Sequence, residues 1–448
     1  MGIFKAYDVR GKCPGEIDEA FANRLGRAYA DFLGNAGTVA VGRDMRETSP
    51  ELATALSAGL HQGGVNTVQV GMCTSPTLYY VVGSRNLQGG VMVTASHNPA
   101  SDNGFKLCRE QVIPVGSMSG LKEIQAMVEA PEAPAPVANP GQAESIDVLE
   151  EYLDHVQRIG DRVATLKIAI DCGNGVAGPT VAALLKRWPG IECVQLYFEP
   201  DGTFPNHPAN PLVPENLVDL QKAVVEQGCA LGAALDGDGD RCVFVDEKGE
   251  VCLSDLMTAL LAQPYLDHEE GAGVVYDLCS SKVVKEEVEK RGGVPIEEKV
   301  GHSFIKATMR ARNAVFAGEN SGHYYFREHW FADSALIALN RLLHMVSHES
   351  RTLSQLMEPL RRTSRSGERN FRVKDADAAL EALAQAFPGA EITRLDGVTV
   401  RTPQFWFNGR KSNTEPLVRV NAEADVAADL EAGMATIIGV LGEPLVGH

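Results

Sequence analysis

Short apolar runs recur along the chain, each halted by Gly, Asp, Asn or Ser and most of them followed by a stretch with helical spacing. They include VAVGRD at Val39, VMVTASHNP at Val91, LKIAIDCGNGVAG at Leu166, ALGAALDGDGDR at Ala230, GVVYDLCSSK at Gly273 and AVFAGENSGHYYF at Ala314. Runs of this kind, bounded by turn residues, read as strand, loop and helix in succession. That alternation predicts parallel sheets, whose polar loops gather at the carboxyl ends of the strands, where such sheets bind ligands. Ala130 to Gly141, APEAPAPVANPG, breaks the pattern and reads as a semi-rigid linker. Beyond it, Ile146, Leu149, Leu153 and Val156 fall on one face of a helix that opens a new folded unit. The last part, FRVKDADAALEALAQAF followed by ITRLDGVTVRTPQFWFNGRKSNTEPLVRVNAEA, changes rhythm to strands around helices, a smaller α+β unit starting near Arg362.

Length and charge narrow the chemistry. A chain of 448 residues exceeds one core, so several domains are expected. A formal net charge of -18 argues against nucleic-acid binding, which needs clustered cations, yet leaves room for small anions met by local positive charge. The nine cysteines show no C-x-x-C spacing, so neither a zinc site nor a disulfide framework is indicated and a reducing cytoplasm is expected. MGIFKAYDVRGKC lacks the apolar run of a signal peptide, residue 6 is Ala where myristoylation needs Ser or Thr, and no run spans a bilayer.

Three loops carry candidate chemistry. In LDGDGDR, Asp236, Asp238 and Asp240 would repel one another unless a hard cation sat among them. An EF-hand fails because Arg241 stands where that loop needs Gly and the flanks read as strands; a solvated acidic turn is the plain alternative. In TASHNPASDNGFK, Ser96 invites a hydrolase reading, but no G-x-S-x-G elbow surrounds it and the neighbouring His97 is expected to point elsewhere. A phosphoryl group on Ser96, countered by a cation among the aspartates, accounts for both loops together. In FNGRKSNTEP, Arg410, Lys411, Ser412, Asn413 and Thr414 offer what a phosphate dianion needs, unless the segment is only a solvated hairpin turn.

TASHNP, DGDGDR, GENSGH and KSNTEP, in this order, resemble the α-D-phosphohexomutase superfamily, specifically its bacterial phosphomannomutase and phosphoglucomutase group. FKAYDVRG, GRDMRETSPEL at Gly42 and DGTFPNHPANPLVPENL at Asp201 extend the similarity over essentially the whole chain. The resemblance implies three related mixed α/β domains, 1–140, 141–245 and 246–355, and a C-terminal α+β domain, 362–448, around a central cleft. It implies a phosphorylated Ser96, one Mg²⁺ held by Ser96, Asp236, Asp238 and Asp240, and activation by a hexose 1,6-bisphosphate. Lys106, His302 and Arg10 would handle the proton. Tyr7, Arg241, Glu319, Ser321, His323, Arg410, Ser412, Asn413 and Thr414 would bind substrate. The implied reaction interconverts mannose 1-phosphate and mannose 6-phosphate, with glucose phosphates as further substrates. A phosphoglucomutase, a phosphoglucosamine mutase and a non-catalytic sugar-phosphate binder are the alternatives. Hexose phosphates are the expected partners, with no nucleic acid or membrane, for a cytoplasmic monomer or homodimer. Two positions depart from the group. Asn320 stands where relatives commonly carry Met or Gln, and Cys279 stands where many carry a cation, with Lys282 the nearest one.

Overall fold

The computed structural model describes residues 2–131, 135–411 and 417–445. The first domain contains β1 (Val9–Lys12), α1 (Glu19–Phe32), β2 (Thr38–Arg43), α2 (Ser49–Gln62), β3 (Asn66–Met72), α3 (Ser75–Ser84), β4 (Gly89–Val93), β5 (Asp102–Arg109), α4 (Leu121–Glu129) and β6 (Ala143–Ser145). The second contains α5 (Leu149–Gly160), β7 (Leu166–Asp171), α6 (Gly178–Lys186), β8 (Ile191–Leu196), α7 (Val218–Gln227), β9 (Leu231–Leu235), β10 (Cys242–Asp246) and β11 (Val251–Cys252). The third contains α8 (Ser254–His268), β12 (Gly273–Asp277), α9 (Lys282–Lys290), β13 (Val294–Glu298), α10 (His302–Arg312), β14 (Phe316–Gly318), β15 (Tyr324–Phe326), β16 (Ala332–Asp333), α11 (Ala335–His348) and α12 (Leu353–Met357).

One topological unit is used three times. A first strand (β2, β7 or β12) pairs in parallel with a second (β3, β8 or β13) on one side and a third (β4, β9 or β14) on the other. A fourth strand (β5, β10 or β15) then pairs antiparallel with the third. This corrects the expectation of parallel sheets: in each unit the functional loop is the tip of an antiparallel hairpin, not a crossover into a helix. The polar loop residues looked the same in either role; the strand that follows carries the difference. β4 and β9 are buried along their whole length, as expected for strands covered by helices on both faces.

The Pro-rich stretch, read as a semi-rigid linker, is tied to the first domain at its described residues. The Val137 and Gly141 amides donate to the carbonyls of Gln62 and His61, and β6 then adds a strand to the first sheet. Ile146, expected on a helix, packs against the first domain instead, and α5 begins three residues later with Leu153, Val156 and Ile159 buried. One continuous apolar core joins the second and third domains, from Tyr152 to Leu360.

The fourth domain is an antiparallel sheet of β17 (Ser364–Arg372), β18 (Glu391–Thr393), β19 (Val398–Arg401), β20 (Phe405–Lys411) and β21 (Leu417–Ala424), with α13 (Ala376–Gln385) and α14 (Ala427–Leu441). Alternation along β21 sends Val418, Val420 and Ala422 to its separate core and Arg419, Asn421 and Glu423 to the other face.

Candidate active site

The serine loop is held in an uncommon conformation. Ser96 has a left-handed backbone, φ 51°, which costs an L-residue about 1–2 kcal/mol, and its side chain is fully buried. Arg46 offsets that cost from behind. Its five N–H groups are all used: Nη2 donates to the Ser96 and Asn98 carbonyls at 2.9 and 2.7 Å, Nη1 to those of Pro99 and Asp102 at 2.6 and 2.9 Å, and Nε to Asp44 at 3.1 Å. With the loop carbonyls turned toward Arg46, the Ser96 hydroxyl faces the second domain.

There it meets the aspartates, because the second hairpin tip packs directly onto the first. A Cβ at Gly237 would lie 2.4 Å from the Ser96 carbonyl oxygen, so only glycine permits this approach. Ser96 Oγ donates to Asp236 Oδ2 at 2.8 Å. Asp236 Oδ1 accepts from the amides of Gly239, Asp240 and Arg241 at 3.1–3.2 Å. Asp236, Asp238 and Asp240 are all buried and offer oxygens within 4.8 Å of one another. Burial, with Asp240 and Asp238 alongside, raises the Asp236 carboxyl to about 8. Asp238 Oδ1 is buried without a hydrogen-bond partner. A cluster of hard oxygens with an unpaired carboxylate atom fits a small divalent cation.

The expected cations assemble here too. Lys106, on the strand returning from the serine tip, donates to Asp238 Oδ2 at 2.6 Å and Asp240 Oδ2 at 2.5 Å. Although burial opposes its charge, these carboxylates hold its ammonium protonated well beyond the usual lysine range. Arg10 binds Asp8, the Ala95 carbonyl and Asn98. His97 leans toward the serine rather than away, its Nδ1 3.4 Å from Ser96 Oγ. Burial, with Arg241, Arg10 and Lys106 nearby, lowers it to about 2, so the ring is neutral.

The third hairpin tip closes the cleft. Arg241 pairs through its backbone with His323, and the Cys242 amide donates to the Gly322 carbonyl at 2.9 Å, stitching the second tip to the third. His323 Nε2 lies 3.3 Å from Asp240 Oδ1, and despite burial this carboxylate and Glu319 raise the ring to about 9. Ser321 Oγ lies 2.7 Å from His323 Nδ1. Glu319 accepts from the Gly301 amide at 2.8 Å and from the Tyr325 hydroxyl. His302, the first residue of α10, meets the Tyr7 ring edge-on with centroids 5.2 Å apart; the Tyr7 hydroxyl donates to the Val300 carbonyl. Burial, with Lys306 and Lys106 nearby, holds His302 neutral, and its Nδ1 has no partner.

At the far end a cavity of about 800 Å³ separates the third and fourth domains, lined by Cys279, Asn320, Ser321, Glu368, Arg410 and Arg419 among others. Arg410 and Arg419 stand opposite each other on β20 and β21, both paired with Glu368 at 2.9 and 3.2 Å. Ser412, Asn413 and Thr414 lie outside the described residues. Lys282 pairs with Asp425. Arg46 and Ser75 had no expected role: an arginine in a loop reads as solvated, and the serine of CTSPT reads as a helix cap. Ser75 donates both its hydroxyl and its amide to Asp238, at 2.5 and 3.0 Å.

Four family descriptions match in chain order. Residues 1–134, 150–249 and 254–363 match phosphoglucomutase/phosphomannomutase alpha/beta/alpha domains I, II and III, and residues 368–439 match the C-terminal domain. Phosphohexose mutases of Xanthomonas campestris pv. campestris are 42% identical over 94% of this chain and 95% of theirs. Phosphomannomutase of Escherichia coli strain K12 is 37% identical over 99% of both. A crystal structure of a phosphoglucomutase/phosphomannomutase family protein from Burkholderia thailandensis, 32% identical, superimposes with a TM-score of 0.89 over 99% of this chain and 98% of that one.

Proposed function

The chain belongs to the phosphoglucomutase/phosphomannomutase family, an intramolecular phosphotransferase, and on that premise we propose that it interconverts mannose 1-phosphate and mannose 6-phosphate, with glucose phosphates as further substrates. The observation that carries this reading is Ser96 Oγ set 2.8 Å from Asp236 within a buried carboxylate cluster that also holds Lys106. In the working enzyme Ser96 carries a phosphoryl group. Asp236, Asp238 and Asp240 hold one Mg²⁺ with it, which supplies counter-charge to the transferring phosphoryl group.

The residues divide by charge. His302, neutral with a free nitrogen, suits the base that takes the proton from the attacking sugar hydroxyl. As the new O–P bond to the sugar forms, the bond to Ser96 Oγ breaks, Oγ takes up a proton in exchange for the one His302 removed, and the hexose 1,6-bisphosphate results. After this intermediate turns over, its other phosphate returns to Ser96. Lys106 and Arg10, held as cations, stabilise the charge on the transferring group rather than accept a proton. Glu319, Ser321, His323 and Tyr7 contact the sugar. Arg410, with Ser412, Asn413 and Thr414, receives the phosphate that is not reacting, and Arg241 lies between the two ends.

Peptide mass spectrometry after incubation with mannose 1,6-bisphosphate is expected to find phosphate on Ser96. An unmodified serine together with full mutase activity would remove the reading. Asp238→Asn is expected to abolish Mg²⁺-dependent turnover, and an unchanged rate would take that residue out of the site. Turnover on mannose, glucose and glucosamine 1-phosphates then ranks the sugars. A protein that binds all three without converting any would be the non-catalytic alternative. All nine cysteines are free, which suits a reducing cytoplasm.

A further inference from the structure

The three repeated units make one position comparable across domains: the first residue of the helix that follows the second strand. In the third unit this is His302, at the start of α10 after β13. In the first unit it is Ser75, at the start of α3 after β3. Thr74 already caps α3, its hydroxyl accepting from the Thr77 amide, so the Ser75 hydroxyl is spare for another task.

That task is Asp238. Both residues are completely buried. The Ser75 amide donates to the Asp238 carbonyl at 3.0 Å and the Ser75 hydroxyl to Asp238 Oδ2 at 2.5 Å, so one residue of the first domain grips backbone and side chain of the second. The approach is tight, since a Cβ on neighbouring Gly239 would lie 3.0 Å from Thr74 Cγ2. Oδ2 takes its second bond from Lys106 at 2.6 Å and is saturated, whereas Oδ1 is buried and has none. A carboxylate gripped through one oxygen is fixed in rotation, and its other oxygen is presented in a single direction.

We propose that Ser75 is a positioning residue for the cation site: by saturating Asp238 Oδ2 it orients Oδ1 toward Asp236 and Asp240, so that the first domain sets the metal affinity of a loop carried by the second. This rests on reading the aspartate loop as a metal site. Partners that orient a ligand are typically worth about 10–100-fold in metal affinity.

The test is Mn²⁺ binding to the full chain, followed by electron paramagnetic resonance, for the wild type, Asp236→Asn and Ser75→Ala. Ser75→Ala is expected to weaken Mn²⁺ binding by about 10-fold or more and to raise the Mg²⁺ activation constant in parallel, with kcat recovering at saturating Mg²⁺. A folded Ser75→Ala protein that binds Mn²⁺ within twofold of wild type would overturn the proposal and leave the metal site standing. Asp236→Asn protein that binds Mn²⁺ as tightly as wild type would overturn both. Should Ser75→Ala not fold, Ser75→Cys keeps the volume with a weak donor and is read in the same way.

Discussion

Replacing Arg46 by lysine separates the hold on the serine loop from the charge behind it. The guanidinium makes five N–H bonds, four of them to main-chain carbonyls between Ser96 and Asp102. An ammonium has three donors and no fork, so at least two buried oxygens lose their partner. At about 1.5–3 kcal/mol for a bond to a charged group, the loss is about 3–6 kcal/mol. The left-handed conformation of Ser96 costs roughly 1–2 kcal/mol, less than the bonds lost, so the strain is no longer offset and the loop relaxes while the charge facing Asp44 remains. A displacement on the order of 1 Å at a reacting atom costs about 100-fold in rate. Arg46→Lys should therefore lower kcat by about that factor, measured in a coupled mutase assay. KM should stay within a few-fold, because the cavity lined by Arg410, proposed to receive the second phosphate, lies at the other end of the cleft. Calorimetry on the same sample should show a lower first-domain transition. A kcat within threefold of wild type alongside that lower transition would refute the link between the arginine and the reactive conformation. Arg46→Ala is a different experiment: it strands the fully buried Asp44 and should prevent the first domain from folding.

Gly237→Ala should uncouple the first two hairpin tips, since the added methyl would sit 2.4 Å from the Ser96 carbonyl oxygen. Overpacking of this kind costs about 1–3 kcal/mol, and the expected result is a folded protein with kcat reduced at least 10-fold; wild-type turnover would show that the tips have room to part. A pH dependence of stability is expected from the buried His155 and His329 pair, 2.9 Å apart, with Arg158, Tyr80 and Trp330 facing it. Burial, then Arg158, lowers His155 from 6.5 to about 4, so on acidification the unfolded chain takes up a proton that the fold refuses. Stability should fall as pH drops from about 6.5 to 4, by about 3 kcal/mol at 1.4 kcal/mol per tenfold in protonation. His155→Gln should flatten that part of the profile in chemical denaturation, and an unchanged slope would assign the acid sensitivity elsewhere.

The sequence made the tips legible and their mounting less so. Asp236, Asp238, Asp240 and Ser96 were readable because like charges in a Gly-rich turn and a reactive hydroxyl after a buried strand have few structural uses. Their convergence was not readable, since it depends on glycine clearances at residues 237 and 239 that a sequence records only as turn residues. Lys106 was located, but its two carboxylate partners, Asp238 and Asp240 of another domain, were not. Arg46 and Ser75 were missed for one reason: each acts on main-chain or carboxylate atoms far away in the chain, and neither lies in a pattern that announces this. The run after LDGDGDR, β10, reads as a strand, but neither it nor β5 or β15 declares from its residues that it returns antiparallel, because short apolar runs after polar loops carry no mark of direction.

The hairpin tips have a consequence for how such an enzyme can change. Residues 94–101, 236–241 and 319–323 join the same pair of strands in three copies of one scaffold, yet differ in length and chemistry. One carries Ser96, one gathers the carboxylates, and one carries Glu319, Ser321 and His323. Substitutions in the third, where Asn320 stands, can therefore be made without moving the other two. Substrate preference can drift under selection while the reaction itself is inherited intact.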